Sequence, residues 1–467
     1  MNGIKEEGQM LVDRSPAEDV FARVPQMAQR IDPVLKELDE RLPDDELSQH
    51  VRADFGKRYR STLVHGRHST PVEGLLRLLI VKHLHQWSYQ DTQEQVDQNL
   101  LLRWFCRLYW APVPDDTTLI RWANTLQPET LHALNDRVVQ LAMQARITKG
   151  RKLRLDATCV QTNIHHPTHS GLLVDSVRVL SRFVQRSKGL VKDQVSNVQQ
   201  LCRSRLLTAR RTAQTLHRQL RRKGEDKEAE QKQLYKRLVH TAEQMVKQVK
   251  QVIQHPSRNQ AKRSQGLREQ AEQVLPLIER VIAQTRSRVL EGKKVASADK
   301  VLSLLEPRTR AILRQKGGAL IEFGRQVILD EVEGGIVTRY WILAHPHEHG
   351  QATEAVEHHL TLFARPPNVV ADDRGVHSAE TEVRLLQRGV KQVTIPASGP
   401  LSQERQDRER SRAFRRGYRW RAGIEGPTAS LRRILGGAKA AITGKTGWSG
   451  GWAWASNLRR IALTKEA

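Results

Sequence analysis

The apolar positions of the chain change period several times, and each change predicts a change of element. Between residues 70 and 147 they recur at helical spacing, with Leu75, Leu76, Leu79 and Ile80 on one stripe. Thr70-Pro71-Val72-Glu73 stands before that stripe. A capping threonine, a proline at the first helical position and a glutamate at the third predict a helix start there. Ser88 to Asp91 marks a second start, and Trp104, Phe105 and Trp110 are expected as bulky core contacts. Pro112 and Pro114 break the chain before Asp115-Asp116-Thr117-Thr118 opens a short helix, Leu119 to Asn124. Short helices joined by tight turns suggest a helix-turn-helix arrangement, with Thr117, Thr118 and Arg121 facing outward from the second helix. A helical bundle serving only for dimerisation has the same pattern.

Near Arg151 the period becomes two. Leu153, Leu155, Ala157 and Cys159 share one face of a strand, and Asp156 points to the other. From about Leu172 to Leu313 the helical period returns in a long polar stretch rich in Arg, Lys, Gln and Glu. Val191, Val195 and Val198 carry the stripe there, as do Met245, Val249 and Val252. Gly224, Pro256 and Pro276 are expected at bends or ends. Strands resume at Phe323, where Arg325 to Asp330 and Ile336 to Leu343 flank a Gly334-Gly335 hairpin turn. Ala352, Val356, Leu360 and Phe363 make a helix face, and Asn368 to Asp373 reads as a strand. Ser378 caps a helix that Gly389 ends, Val390 to Pro396 is a further strand, and the chain from Ser402 is helical and basic.

Without the long helical stretch, this is the element order of a ribonuclease-H-like α/β fold. The expected organisation is an N-terminal arm (residues 1–60), a helical helix-turn-helix-like domain (61–147) and the first part of the α/β domain (148–171). A basic α-helical insertion (172–316) and the remainder of the α/β domain with C-terminal helices (317–467) complete it.

Charge narrows the function. The 467 residues carry a formal net charge of +26. An excess of that size fits a polyanionic partner, because each Lys or Arg that neutralises a phosphate releases a condensed counterion. Cys106, Cys159 and Cys202 lie far apart with no CxxC pair, which argues for a reducing compartment. The first residues, MNGIKEEGQMLVDRS, contain no apolar secretory core. No apolar run approaches the ~20 residues that span a bilayer. The expected location is cytoplasmic and nucleoid-associated, with no membrane partner.

Three acidic positions carry candidate chemistry. Asp156 lies mid-strand among apolar neighbours, where Asp is disfavoured. Asp372 and Asp373 end the strand Val369-Val370-Ala371, and alternation sends them to opposite faces, so only one can join Asp156. Glu425 follows Tyr418 by seven residues, with Arg421 between them at an offset of three. At ~100° per residue these three side chains fall within about 60° of one another on a helix, and Arg432 falls on the same stripe. Pro427 is expected to stop or kink that helix just past Glu425. Two carboxylates ~4 Å apart repel by about 4 kcal/mol at an effective dielectric of ~20, so a converging set needs cations. Carboxylate oxygens suit Mg²⁺ and two-metal phosphodiester chemistry.

The segments TPVEGLLRLLIVKHLHQWSYQDT, PVPDDTTLIRWAN, LRLDATCVQTNIHHPT, EFGRQVILDEVEGGIVTRYWIL, VVADDRGVHSAETE and YRWRAGIEG occur in this order. Together they resemble the DDE transposases of bacterial insertion sequences, most closely the ISNCY group, over residues from about 60 onward. The Tyr418, Arg421 and Glu425 spacing matches the Y-(2)-R-(3)-E signature of such enzymes, and Arg432 stands where that signature often continues with Lys. The resemblance implies a ribonuclease-H-like fold and a catalytic, metal-binding triad of Asp156, Asp373 and Glu425. Asp373 is favoured over Asp372 because the family's second Asp precedes Arg-Gly. It further implies Mg²⁺, with Mn²⁺ accepted, and Tyr418 and Arg421 positioning DNA. The expected activity is cleavage at the element's terminal inverted repeats, followed by attack of the freed 3′-OH on target DNA. Both steps are in-line displacements without a covalent protein–DNA intermediate. A homo-oligomer on DNA is expected.

His165, His166 and His169, and separately His345, His347 and His349, invite a zinc site, but no Cys or further His arrives at a recognised spacing. His165 can instead contact the DNA backbone near the first Asp. There is no complete GxxxxGK[ST] loop, since Lys439 stands where the first glycine belongs before Gly444-Lys445-Thr446. The alternatives are a transposase relic that only binds DNA and a metal-dependent nuclease without strand transfer.

Overall fold

A computed structural model describes residues 30–42, 45–57, 70–191, 195–220, 227–254, 261–313, 321–343, 350–426, 428–429 and 449–464. Helices α1 (Pro33–Arg41), α2 (Asp45–Lys57), α3 (Val72–His85), α4 (Tyr89–Gln98), α5 (Leu100–Phe105), α6 (Asp116–Ala123) and α7 (Pro128–Gln144) precede strand β1 (Lys152–Gln161). Helices α8 (His169–Val191), α9 (Val198–Leu201), α10 (Leu206–Leu220), α11 (Lys227–Gln254) and α12 (Ala261–Thr285) follow. The remaining elements are β2 (Arg310–Leu313), β3 (Ile321–Val332), β4 (Ile336–Ile342), α13 (Gln351–Phe363), β5 (Val369–Ala371), α14 (Ala379–Gln387), β6 (Gln392–Thr394), α15 (Gln403–Arg410), α16 (Arg412–Ala422) and α17 (Ser449–Thr464). The chain is therefore mixed α/β. It divides into one unit of Met1–Val160, Gln326–Leu343 and His347–Ala467, and a second of Gln161–Arg325 and Ala344–Pro346.

In the first unit the strand order is β4-β3-β1-β5-β6. β3 and β4 form an antiparallel hairpin, and β1, β5 and β6 run parallel. Gly334 and Gly335 make the hairpin turn at φ of 87° and 73°, values that glycine adopts without steric cost. Leu153, Leu155, Ile328, Val332, Val370 and Val393 bury one face of this sheet in a core shared with the N-terminal helices, α13 and α17. Two asparagines fasten helices to the edge strand β4. Asn457 on α17 accepts from the Val337 amide and donates to its carbonyl, while Asn135 on α7 donates to the carbonyls of Val337 and Thr338.

Residues 33–41 and 45–57, within the span expected as an arm, form α1 and α2, and Leu38, Val51 and Phe55 join this core. The α3 stripe is buried as its spacing predicts, but its start differs. Pro71 is the N-cap and makes no side-chain capping bond, and Thr70 stays outside. Glu73 pairs instead with Arg77, a buried guanidinium that also holds Asp39 of α1. Ser88 and Asp91 form the reciprocal capping bonds that open α4. Phe105 is fully buried, whereas Trp110 is 70% exposed and does not join the core. Its loop contains Arg107 and Tyr109 at positive φ, which turns the chain away from the core before Pro112.

In the second unit α8, α10, α11 and α12 pack around Leu173, Val177, Leu180, Leu216, Leu238, Met245, Val249, Ile278 and Val281. α12 continues through Pro276, where an end or bend was expected. Pro276 lies on the exposed face, where water can satisfy the carbonyl left without its amide partner. β2 is an additional short strand, antiparallel to the first residues of β3, in a stretch whose pattern predicted helices. Gly224 and Pro256 lie outside the described residues.

Candidate active site

The parallel register of β1 and β5 brings the acidic positions together. Lys152 pairs with Val369 and Arg154 with Ala371. Continuing that register past the end of β5 sets Leu155 beside Asp372 and Asp156 beside Asp373. The two adjacent aspartates then part, as alternation requires. Asp372 is buried, accepts the Asp373 amide at 2.7 Å, and burial pushes its carboxyl up to about 7. The Asp373 side chain is 58% exposed, beyond the carboxyl end of a parallel strand, where open α/β sheets place ligands.

Arg421 joins Asp156 and Asp373. Its Nη2 lies 2.8 Å from Asp156 Oδ1 and 3.8 Å from Asp373 Oδ2. The Thr428 hydroxyl donates to the other oxygen of Asp156 at 3.1 Å. Thr428 was not singled out from the sequence. Its contact with Asp156 spans 272 residues, so no neighbouring residue marks it.

The position of Arg421 depends on how α16 seats on the sheet. Phe414 and Gly417 are the buried residues of this otherwise basic helix. A Cβ at Gly417 would meet Thr394 of β6 at 2.6 Å, so the glycine permits close approach. At the other end Arg154, two residues before Asp156, holds the helix. Its guanidinium donates to the Trp420 carbonyl, lies 4.8 Å from the Trp420 ring centroid, and pairs with the buried Glu331 of β3. Gly423 packs against that same guanidinium. Ile424 is fully buried just beyond.

Glu425 follows a break in the helix that carries Arg421. α16 ends at Ala422 with Gly423 as its C-cap, one turn before the expected stop at Pro427. The Arg421–Ile424 bond closes a tight turn before helical residues resume at Glu425. The side chains at 418, 421 and 425 therefore do not lie on one continuous helix, and Tyr418 and Glu425 are exposed. Among the described residues no three His, Cys, Asp or Glu side chains lie close enough together to hold a metal ion. Asp156, Asp373 and Glu425 are therefore not assembled as a ready-made metal-binding set. Arg432 and Pro427 lie outside the described residues.

The other singled-out positions fall elsewhere. Thr117 and Thr118 lie in the first turn of α6 and Arg121 in its last turn. There Asp115 accepts from the Thr118 amide, and the Arg121 guanidinium folds back on the Thr117 carbonyl and hydroxyl at 3.1 and 3.2 Å. Thr117 and Arg121 are exposed. His165, His166 and His169 turn to Asp175, the Phe323 ring and Thr285 respectively, so they do not converge. His345, His347 and His349 lie outside the described residues. The three cysteines are buried and are not joined by disulfides.

Residues 21–125 match the family described as Transposase domain (DUF772). No curated protein and no solved structure matches the chain. The matched span covers α1 to α6 and supports a transposase-type function, that of a mobile-element enzyme with DNA as partner. It ends before Asp156. Among the described residues no helix is long and apolar enough to cross a membrane.

Proposed function

We propose that the chain is a DDE transposase that cuts at the ends of its insertion sequence and joins the freed 3′-OH ends to target DNA. The observation that carries this reading is the convergence of Asp156 and Asp373 on the single guanidinium of Arg421. The strand order β4-β3-β1-β5-β6, antiparallel then parallel, supports a ribonuclease-H-like core, and the helical unit enters it between β1 and β3. The ISNCY-like grouping and the Y-(2)-R-(3)-E signature rest on the sequence motifs.

Mg²⁺ fits the donor set. It is commonly held by one or two carboxylates together with substrate phosphates, and Asp156 and Asp373 already flank one cationic group. When bound there, the ion would supply the charge that offsets a phosphodiester during in-line displacement. The protein's own contribution is placement. Arg154 and Thr428 fix the end of α16 and one oxygen of Asp156, so Asp156 is pre-oriented. Arg421, released from the carboxylates, can bind a phosphate oxygen as a planar donor. Thr117 and Thr118, in the first turn of α6 behind the Asp115 cap, and Arg121, in its last turn, would contact terminal-repeat DNA as part of a helix-turn-helix-like region.

The test is an end-cleavage and strand-transfer assay with DNA carrying the element's terminal repeats and Mg²⁺. The unaltered chain is expected to give both products. Asp156→Asn is expected to bind the ends and give neither. Cleavage by Asp156→Asn at the unaltered rate would sink the assignment. The exposed Glu425 favours one second reading, a chain that binds ends without cutting them; absence of product from the unaltered chain with binding intact selects it.

A further inference from the structure

The helical unit contains a cleft of about 630 Å³ between α8 and α10. Asp175 and Arg178 of α8, Arg210, His217 and Arg218 of α10, and His165 from the preceding loop contribute its charged and titratable groups. Asp175 and Arg178, like Arg210 and His217, stand at spacings that keep them on one helix face, so the two helices present facing walls.

The charges do not cancel. Three arginines meet one aspartate, and that aspartate is already engaged. Asp175 Oδ1 lies 2.7 Å from Arg178 Nη1 and Oδ2 lies 3.1 Å from His165 Nε2. Asp175 therefore orients Arg178 and His165 and leaves Arg210 and Arg218, both exposed, facing the cleft uncompensated by it. Arg210 and Arg218 are eight residues apart on α10, roughly 12 Å along the axis. A single phosphate cannot bridge that distance, whereas each strand of duplex DNA presents a phosphate every ~3.4 Å of helix axis.

We infer that this cleft grips the phosphodiester backbone of DNA, with Arg178, Arg210 and Arg218 as the phosphate contacts. The inference rests on the reading of the chain as a DNA-acting enzyme, but gives the helical unit a binding role of its own. Asp175 acts in it as a built-in competitor, holding one guanidinium and one imidazole until phosphate displaces it.

The experiment is fluorescence anisotropy of the full chain with a short labelled DNA duplex, over a series of salt concentrations. R210A/R218A is expected to bind about tenfold more weakly at low salt, with the slope of log affinity against log salt reduced by about two. R210K/R218K should keep the slope. Arg268→Ala, an exposed arginine on α12 paired with Glu272, controls for general loss of charge and should change little. Asp175→Asn should tighten binding, while Glu269→Gln on α12 should not. Circular dichroism confirms that each variant is folded. An unchanged slope in R210A/R218A overturns the cleft, as does absence of DNA binding by the unaltered chain. Failure of the transposase reading shows differently, as binding with this salt dependence but no end cleavage.

Discussion

The α/β unit contains two kinds of arginine–carboxylate contact, and they differ in what surrounds them. Arg154–Glu331 and Arg339–Asp330 are sealed, with acidic partners that are nearly or fully inaccessible and pushed upward by burial. Asp156–Arg421–Asp373 is open on one side, where Asp373 is more than half exposed. A sealed pair cannot exchange its cation without leaving a charge stranded in a medium that solvates it poorly. In the open cluster water or an ion can replace the guanidinium. The contrast separates a fixture of the fold from a site that can change partners, and it can be broken experimentally.

The largest expected effect is at the sealed pair. Arg154→Met strands Glu331 and should cost about 3–5 kcal/mol in urea unfolding, with Arg154→Met/Glu331→Leu recovering most of it. Arg421→Met should cost only about 1–2 kcal/mol, because Thr428 still serves Asp156 and Asp373 remains hydrated. Equal losses in the two single variants would erase the distinction.

Sealing also predicts a pH dependence. His359 is buried on α13, stacked on Phe363 and bonded to the Gly150 carbonyl, and burial lowers it to about 4. In the unfolded chain it takes a proton near pH 6.5, whereas in the fold it stays neutral until about pH 4. Its contribution is therefore intact above pH 6.5 and lost as pH falls through that window, up to roughly 3 kcal/mol. Urea midpoints from pH 7 to 4 should show this loss in the unaltered chain and a smaller one in His359→Gln. The same slope in both would contradict it.

Two smaller effects sharpen the contrast. Gly423→Ala places a methyl against the Arg154 guanidinium and should cost about 1–2 kcal/mol while slowing any reaction that needs Arg421 in place. Mg²⁺ should raise the melting temperature of Arg421→Met by about one degree, on the order of 1 kcal/mol, more than that of the unaltered chain. Asp156→Asn/Asp373→Asn should show no such rise.

Local signals were the legible part of this fold. The Ser88–Asp91 capping box, the Asp115 and Ser378 caps and the Gly334-Gly335 turn each depend on residues within a few positions. The unlike environments of Asp372 and Asp373 followed from strand alternation alone. What escaped depends on contacts distant in sequence. Gly423 and Pro427 both offer a stop near residue 422, but which of them ends the helix depends on Gly423 packing against Arg154, some 270 residues earlier. The clamp of Arg154 on Trp420 and the bond from Thr428 to Asp156 are likewise long-range. Trp110 looked like core material by size, but the positive-φ residues before it direct the loop outward.

The central claim is that Asp156 and Asp373, not Asp372, form the reactive pair. It is tested most directly by the rate of end cleavage in Mg²⁺ for three variants, each first shown to bind the ends. Asp156→Asn and Asp373→Asn should yield no product, and Asp372→Asn should cleave at a rate within a few-fold of the unaltered chain. Cleavage retained in Asp373→Asn and lost in Asp372→Asn would contradict the account.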